Sequence, residues 1–312
     1  MWYTSRLCSL TITVLIYIND LADDSPKLFS IFFADDSNMF ISGKNPDELI
    51  DIMNEEMVKI VDWLKLNRLS LNLKKTHFIL FRKKRSIVNI SKDLIVDNVK
   101  IDMVENTKFL GVIVDQYLSF QCHINYTKGK VARGVGILYK CRPYLNKDTL
   151  KCLYDAFVCP YLTYCVEVWG SACSTHLDPL IKTQKRAIRI IAGAKRLEHS
   201  RPLFKELKLL NLRELYIYCV QLFMFKYHRD LLPPVFENIF TKNEFVHQHY
   251  TRQHDLLHVP ISRSTTVSKT IRINGVKFYN YLFDKIPIEV TYDHYKRNLK
   301  IYIHQQDVCQ LV

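Results

Sequence analysis

Glycine is scarce in this chain of 312 residues, which has 8 glycines and 10 prolines in all. The glycines are scattered, so the sequence has no glycine-rich loop of the kind that cradles a nucleotide phosphate. Low glycine and proline, together with 48% hydrophobic residues, exclude a collagen-like or disordered chain. The 9 cysteines are odd in number and show no disulfide spacing. We therefore expect a globular, intracellular protein of the nucleus or cytoplasm that is not secreted.

Long hydrophobic runs are also missing. The longest run near the start covers residues 7–18 and is interrupted by three hydroxyl residues. It is shorter than the roughly 20 apolar residues that span a bilayer. No small-x-small cleavage site follows it, so it is not typical of a secretion signal. The sequence therefore predicts no membrane partner.

Positive charge is concentrated in the middle of the chain. The net charge is +13, yet residues 1–126 have 15 basic and 16 acidic side chains. Residues 127–230 have 19 basic and 8 acidic side chains, a net charge of +11, and residues 231–312 have a net charge of +3. This distribution favours a surface that faces a polyanion, either nucleic acid or anionic lipid. An ordinary solvated basic surface is the alternative.

Two apolar runs, at residues 28–33 and 38–41, predict a β-hairpin with the turn Ala34-Asp35-Asp36-Ser37. Adjacent aspartates in a buried hairpin repel each other unless a cation neutralises them. Carboxylate oxygens suit a hard divalent cation such as Mg²⁺, while an ordinary Asp-Asp turn is the alternative on this pattern alone. The same tetrapeptide at residues 22–25 has no flanking strands and is predicted to be a loop.

The remaining pattern predicts an α+β protein. Asn45, Pro46 and Glu48 are typical of a helix N-terminus, with a capping box, for a helix that ends near residue 66. Short strands, antiparallel in character, are predicted at 76–81, 94–96, 99–101 and 109–114, with Asp97-Asn98 as a hairpin turn. Helices are predicted at 128–144, 147–157, 178–192, 202–207 and 212–227. The last part is predicted to mix short strands and loops with a helix at 295–304.

These features follow the order seen in the reverse transcriptases of non-LTR (LINE-type) retrotransposons. Phe33-Ala34-Asp35-Asp36 between apolar strands resembles the metal-binding motif of their palm domain. Residues 15–21 resemble the end of the preceding palm helix, residues 63–76 the next helix and a lysine-bearing motif, and residues 108–115 the strand pair that holds the primer end. Residues 161–170 and 184–187 are similar to the thumb and connecting region, and residues 257–260 and 275–278 to the C-terminal stretch. The chain is thus identified as similar to the C-terminal part of such an enzyme.

The resemblance implies RNA-directed DNA polymerisation by a two-metal mechanism, with an RNA template and a DNA primer as partners. It implies that Asp35 and Asp36 are catalytic and bind Mg²⁺, and that the substrate-binding residues are Lys75, near the triphosphate, and Phe109, Leu110 and Gly111, near the primer. Phosphate contacts are implied for the basic residues Lys128, Lys130, Arg133, Lys185, Arg186 and Arg189. The implied division is a partial palm at 1–126, a basic helical thumb or connector at 127–230 and a mixed C-terminal region at 231–312.

The sequence departs from this family before the hairpin. The family's palm has another metal-binding aspartate on a strand well upstream, whereas 34 residues precede Asp35 here. The fingers, the Gln-Gly-Ser sequence expected before Leu15 and an upstream endonuclease have no counterpart. We therefore expect an N-terminally truncated polymerase that is inactive alone, with a non-catalytic nucleic-acid-binding remnant as the alternative. The sequence does not predict an oligomeric state.

Overall fold

The computed structural model describes residues 16–23, 25–34, 36–86, 88–246 and 254–306. Asp35 and most of the apolar run at 7–18 lie outside these ranges. Within them the protein is α+β, as predicted, with long helices and small two-stranded sheets. The chain divides into two compact units, Met1–Thr107 and Lys108–Val312. Among the described helices, none combines the length and apolar character that crossing a bilayer requires.

The predicted hairpin is present in the first unit. Strands β1 (Phe29–Phe33) and β2 (Asp36–Phe40) pair antiparallel, with Phe33 opposite Asp36. Asp36 therefore belongs to the second strand rather than to the predicted turn. Ala34 has a φ of 52°, as tight hairpin turns require.

Helix α1 (Pro46–Leu66) begins and ends where the sequence predicts. The Asn45 side chain accepts a hydrogen bond from the Asp47 backbone N–H, and Pro46 occupies the first helical position. The Glu48 carboxylate accepts from the Asn45 side-chain amide at 3.0 Å. The start of the helix is therefore stabilised through side chains. The core of this unit includes apolar side chains of α1, namely Ile50, Met57, Ile60, Val61 and Trp63.

A buried carboxylate on α1 explains the serine of the first Ala-Asp-Asp-Ser sequence. Glu56 is fully buried, and Ser25 donates a hydrogen bond to its Oε2 at 2.6 Å. Lys59 donates to its Oε1 at 2.8 Å. The hydrogen bonds from Lys59 and Ser25 lower the pKa of Glu56 to about 2. Ser25 in the first copy of the tetrapeptide is therefore a structural residue, whereas the second copy lies within the β1–β2 hairpin.

The other strands of the first unit are shorter than predicted. Strands β3 (His77–Phe78), β4 (Ile95–Val96), β5 (Val99–Lys100) and β6 (Asp102–Met103) have two residues each. The β4–β5 pair turns at Asp97 and Asn98, both with positive φ, as predicted. The β3–β6 pair is parallel, contrary to the predicted antiparallel character. Residues 79–81 belong to the predicted strand at 76–81 but pair with no described strand. Strand preference depends on packing against a neighbouring strand, so the residue types alone do not produce a strand here.

The residue pattern predicts one strand at 109–114, whereas the resemblance implies a strand pair at 108–115, and the structure has a hairpin. Strands β7 (Asn106–Phe109) and β8 (Val112–Asp115) pair, and the chain reverses at Leu110 and Gly111. These turn residues have φ values of 43° and 86°. A leucine in this conformation costs about 1–2 kcal/mol, so residue preferences argue against a turn here.

The second unit is mainly helical and has one extended hydrophobic core. Its helices are α2 (Gln121–Cys141), α3 (Lys147–Phe157), α4 (Cys159–Thr163), α5 (Val166–Trp169), α6 (Ser174–Ala192), α7 (Ser200–Glu206), α8 (Leu212–His228), α9 (Thr265–Ser268), α10 (Ile271–Leu282) and α11 (Tyr292–Gln305). The bounds of α3 match the prediction, because the Asn146 side chain caps its first turn. Helices α2 and α6 begin earlier than predicted.

The prediction of short strands after residue 230 is wrong for the described residues. Residues 271–282 form helix α10, and the described β-pairing there is a single bridge between Lys242 and Leu257. Gly275 weakens the helical signal in the sequence. A Cβ at this position would lie 2.9 Å from Met224 Sδ on α8, so the glycine allows the two helices to approach closely.

Candidate nucleic-acid interface

Helices α2 and α6 pack against each other and form a groove between them. A cavity of about 280 Å³ is lined by Ala132, Val135 and Gly136 of α2 and by Lys182, Thr183 and Arg186 of α6. These six residues are called the α2–α6 groove below. One wall is small and apolar, and the other has two cationic side chains one helical turn apart. Such a groove suits a polyanion whose backbone approaches closely.

The three glycines of α2 differ in their surroundings. A Cβ at Gly134 would lie 2.7 Å from the Phe157 carbonyl oxygen, so internal packing explains this glycine. A Cβ at Gly129 or Gly136 would have no neighbouring atom within 4 Å. A glycine inside a helix lowers the stability of the helix by about 0.5–1 kcal/mol relative to alanine. At these two positions no internal packing requires a glycine and offsets this loss. The exposed face of α2 is therefore open to close approach from outside.

Several cations on these two helices form no ion pair with a described carboxylate. Arg133 and Lys140 on α2, and Lys182 and Arg186 on α6, are exposed. Elsewhere in the unit, cations that lie near a carboxylate form ion pairs with it: Lys147 pairs with Glu206, and Arg213 pairs with Asp178. Cations without such partners produce a positive field that attracts a polyanion.

The three predicted phosphate contacts on α2 have different surroundings. Arg133 is exposed, whereas Lys128 and Lys130 are half-buried. The Lys130 ammonium lies 5.3 Å from the centre of the Tyr126 ring, a cation–π distance. Tyr126 itself is exposed. This pair combines a charge with an aromatic face, as surfaces that bind nucleic acid often do.

The three predicted contacts on α6 lie on different faces of the helix. Arg186 lines the α2–α6 groove, together with Lys182, which sequence reasoning missed. The i, i+4 spacing of these two residues was the available signal. Lys185 lines a different cavity, of about 270 Å³, formed with α7, α8 and α11. The Arg189 Nε donates to the Glu198 carbonyl oxygen at 2.7 Å, which is a structural role.

The hairpin that contains the predicted metal ligands is in the first unit. Asp36 is exposed, and its strand partner Phe33 is 58% exposed, so the burial expected for the aspartate pair is not found at Asp36. The described residues contain no group of three His, Cys, Asp or Glu side chains that could hold a metal ion. Lys75 is exposed, and in the described part of the chain it forms no ion pair with Asp36. The structure therefore does not bring these two residues together by direct contact.

Asp115 joins the β7–β8 hairpin to helix α2. Its buried carboxylate accepts from the backbone N–H groups of Tyr117, Ser119 and Phe120, the last at 2.7 Å, and from the Ser119 hydroxyl. Phe120, the residue before α2, has no capping side chain of its own and a φ of 56°. Asp115 thus stabilises the chain reversal that leads into α2.

His123 makes a second connection between the hairpin and α2. It is buried, and its Nδ1 accepts a hydrogen bond from the Ile113 backbone N–H of β8 at 3.2 Å. That bond requires an unprotonated Nδ1. Burial lowers the pKa of His123 below its ordinary value of 6.5. The neutral form is therefore the one that fits this structure.

We expect acid to weaken the second unit through His123. Well above pH 6.5 this imidazole is neutral in both the native and the unfolded state. As the pH falls below that value, the unfolded chain binds a proton before the native state does, so the free energy of unfolding falls by up to about 1.4 kcal/mol per pH unit. Urea unfolding above and below pH 6.5 measures this effect. In His123→Gln, which keeps an acceptor but does not titrate, the pH dependence should be smaller; an identical pH dependence would contradict the assignment.

No family model matches the chain, and no solved structure matches it significantly. The chain is 22% identical over 202 residues to a probable RNA-directed DNA polymerase from transposon X-element of Drosophila melanogaster, over 62% of this chain and 22% of that protein. It is 25% identical over 165 residues to the RNA-directed DNA polymerase from mobile element jockey of Drosophila funebris, over 52% of this chain and 18% of that protein.

A third relative is also a protein of a mobile genetic element. The chain is 28% identical over 148 residues to a retrovirus-related Pol polyprotein from type-1 retrotransposable element R1 2 of Nasonia vitripennis, over 44% of this chain and 35% of that protein. The matched part spans about a fifth of the length of the X-element and jockey proteins. These relatives confirm the resemblance that the motifs predicted.

Proposed function

We propose that this chain, whose relatives are the RNA-directed DNA polymerases of non-LTR retrotransposons, is part of a reverse transcriptase and binds the RNA–DNA duplex of template and primer. The observation that supports binding is the α2–α6 groove, where exposed cations without described ion-pair partners lie beside a wall of small residues. The helical unit then acts as the thumb or connector, and the first unit contributes part of the palm. Phosphate contacts of this kind give affinity that falls steeply with salt.

The hairpin carboxylates are proposed to be the metal-binding part of this chain. Asp35 and Asp36 offer the oxygen ligands that Mg²⁺ prefers, and a divalent ion held there would stabilise charge on a transferring phosphate. Asp36 suits this role because it is exposed and has no described cation as a partner. The exposed ammonium of Lys75 is proposed to balance triphosphate charge. Two adjacent carboxylates are few ligands for two metal ions, so we propose that the chain alone binds nucleic acid without extending a primer.

Two assays on the purified chain test this proposal. Fluorescence anisotropy with a labelled RNA–DNA hybrid should show binding that weakens as salt is raised, and vesicles of anionic lipid should bind less tightly at the same salt. Templated primer extension in Mg²⁺ and in Mn²⁺ should show no product. Extension that disappears in Asp35→Ala would show that another carboxylate completes the site, which contradicts the inactivity proposal. Preference for vesicles over the hybrid would contradict the binding proposal.

The exposed glycines of α2 give a second prediction, in which stability and binding change in opposite directions. Gly129→Ala and Gly136→Ala should each raise the free energy of unfolding by about 0.5–1 kcal/mol, because alanine is the better helix former and has room at both positions. The same methyl groups should hold the nucleic-acid backbone away from α2. A lost contact of about 1 kcal/mol corresponds to roughly fivefold weaker hybrid binding. Urea unfolding and anisotropy measure the two quantities.

Gly134→Ala is the matched control on the same helix. Its Cβ would lie 2.7 Å from the Phe157 carbonyl oxygen, so this substitution should destabilise the protein. If Gly129→Ala and Gly136→Ala stabilise the chain and leave hybrid affinity unchanged, the exposed face of α2 does not contact nucleic acid.

A further inference from the structure

The turn of the β7–β8 hairpin is held from outside by a tyrosine. Leu110 and Gly111 have φ values of 43° and 86°, and the first is an unfavourable conformation for leucine. The Tyr164 hydroxyl donates a hydrogen bond to the Leu110 carbonyl oxygen at 2.6 Å. This bond fixes the peptide group between the two turn residues, which is the group that would rotate if the turn relaxed.

The absence of a side chain at Gly111 allows the Tyr164 ring to lie directly on the turn. A Cβ at position 111 would lie 3.0 Å from Cε1 and 3.2 Å from the hydroxyl oxygen of Tyr164. Both distances are shorter than normal carbon contacts. The glycine therefore serves both the positive φ of the turn and the close packing of the ring.

Tyr164 is itself fixed to the helices of the second unit. Its carbonyl oxygen accepts a hydrogen bond from the Trp169 indole N–H at 2.9 Å, and Trp169 is fully buried. The Trp169 ring meets the His123 ring edge-on, with 5.4 Å between ring centres. His123 in turn accepts from the Ile113 N–H of β8. The contacts thus start at the turn, pass through α5 and α2, and return to the same hairpin.

We propose that Tyr164 is a positioning residue that fixes the Leu110–Gly111 turn against the primer end. This inference rests on the proposed function, in which the α2–α6 groove holds the duplex, and on the position near the primer that the resemblance implies for Phe109, Leu110 and Gly111. Because the turn is fastened to α2 through Tyr164, Trp169 and His123, it keeps a constant position relative to the groove. A primer held in the groove then meets the turn at one place. Tyr164 is 52% exposed, so its hydroxyl holds the turn at the surface, where a primer has access.

Photo-cross-linking separates positioning from binding. The probe is an RNA–DNA hybrid whose primer ends in a photoreactive 4-thiothymidine. We expect the wild-type chain to cross-link to this nucleotide within residues 108–113. In Tyr164→Phe, which keeps the ring and removes the hydroxyl, cross-linking should fall at least threefold while the dissociation constant of the hybrid stays within twofold. Hydrogen exchange at the Gly111, Val112 and Ile113 amides should become at least tenfold faster.

Tyr161→Phe is the matched control. Tyr161 is an exposed tyrosine on α4 that forms no hydrogen bond through its hydroxyl to a described residue, so this variant should cross-link like the wild type. Unchanged cross-linking and amide exchange in Tyr164→Phe would overturn the inference. A hybrid that binds to the wild type without cross-linking to the turn would also overturn it and would leave the binding proposal intact. Failure of the hybrid to bind at all would instead overturn the proposed function, and the inference with it.

Discussion

Removal of two cations from the α2–α6 groove, in the double variant Lys182→Ala and Arg186→Ala, is expected to weaken binding of an RNA–DNA hybrid about 50-fold at roughly 0.1 M salt. Each phosphate contact contributes a slope of about −0.9 to the dependence of log affinity on log salt. Between roughly 1 M and 0.1 M salt, one contact is therefore worth about eightfold, and two contacts somewhat more than 50-fold. The slope itself should decrease by about two. Anisotropy titrations at several salt concentrations measure both quantities.

The control for this variant removes the same charge from the other unit. Lys92 and Lys100 are exposed lysines that pair with Asp51 and Asp93, so Lys92→Ala with Lys100→Ala lowers the net charge equally. Hybrid affinity in this control should stay within about threefold of the wild type, since paired surface cations release few counterions. Equal losses in the two double variants would show that total charge, and not the groove, determines binding.

Local signals in the sequence were sufficient where one short segment determines its own structure. Asn45 and Pro46 start α1, and Asn146 starts α3, because a capping side chain acts within its own first turn. Asp97-Asn98 forms the predicted hairpin turn, because both residue types tolerate positive φ. The β1–β2 hairpin follows from two apolar runs separated by turn residues.

Tertiary contacts determined the elements that the sequence did not predict. Leu110 adopts positive φ while Tyr164 holds its carbonyl group, and these residues are 54 positions apart in the chain. Helix α10 contains a glycine that disfavours a helix, yet Gly275 fits against Met224 of α8. Neither partner is visible in the local pattern. Such cases are expected wherever packing overrides residue preference.

The charge distribution of the sequence indicated the region of the candidate site but not its geometry. The excess of basic residues in the middle of the chain pointed to the helical unit, and Arg186 was among the predicted contacts. Composition alone does not indicate which face of a helix a cation occupies, so the sequence did not single out Lys182, which lines the groove, or the bond from Arg189 to the Glu198 carbonyl group. The phosphate contacts themselves stay predictions. The metal-binding role of Asp35 and Asp36 stays a prediction that rests on the resemblance.

Gln184, which belongs to a basic motif in the sequence, has a structural role that leads to the largest stability prediction. It is fully buried, and its Nε2 donates to the Tyr154 hydroxyl oxygen at 2.9 Å and to the Leu210 carbonyl oxygen at 3.0 Å. Its Oε1 accepts from the Leu212 N–H at 2.9 Å, at the first residue of α8. One side chain on α6 therefore satisfies buried polar groups on α3 and at the start of α8.

Gln184→Leu is expected to lower the free energy of unfolding by about 3–5 kcal/mol. Leucine fills a similar volume but leaves three buried polar groups without partners, and each such group costs about 1–3 kcal/mol. Urea unfolding followed by circular dichroism measures the loss. Gln305→Leu makes the same chemical change at an exposed position on α11 and should alter stability by less than about 0.5 kcal/mol.

A double-mutant cycle with Tyr154→Phe tests whether the network explains this loss. Tyr154 is buried and accepts from Gln184, so Tyr154→Phe alone should destabilise the chain by about 1 kcal/mol or more, because it leaves the Gln184 amide with one acceptor fewer. In the Gln184→Leu background that donor is absent, so the Tyr154 hydroxyl has lost its partner. Tyr154→Phe then removes an unpaired buried group. It should then be neutral or stabilising. Equal effects of Tyr154→Phe in both backgrounds would mean that the two side chains are not coupled, and the destabilisation by Gln184→Leu would then come from its bonds to Leu210 and Leu212 alone.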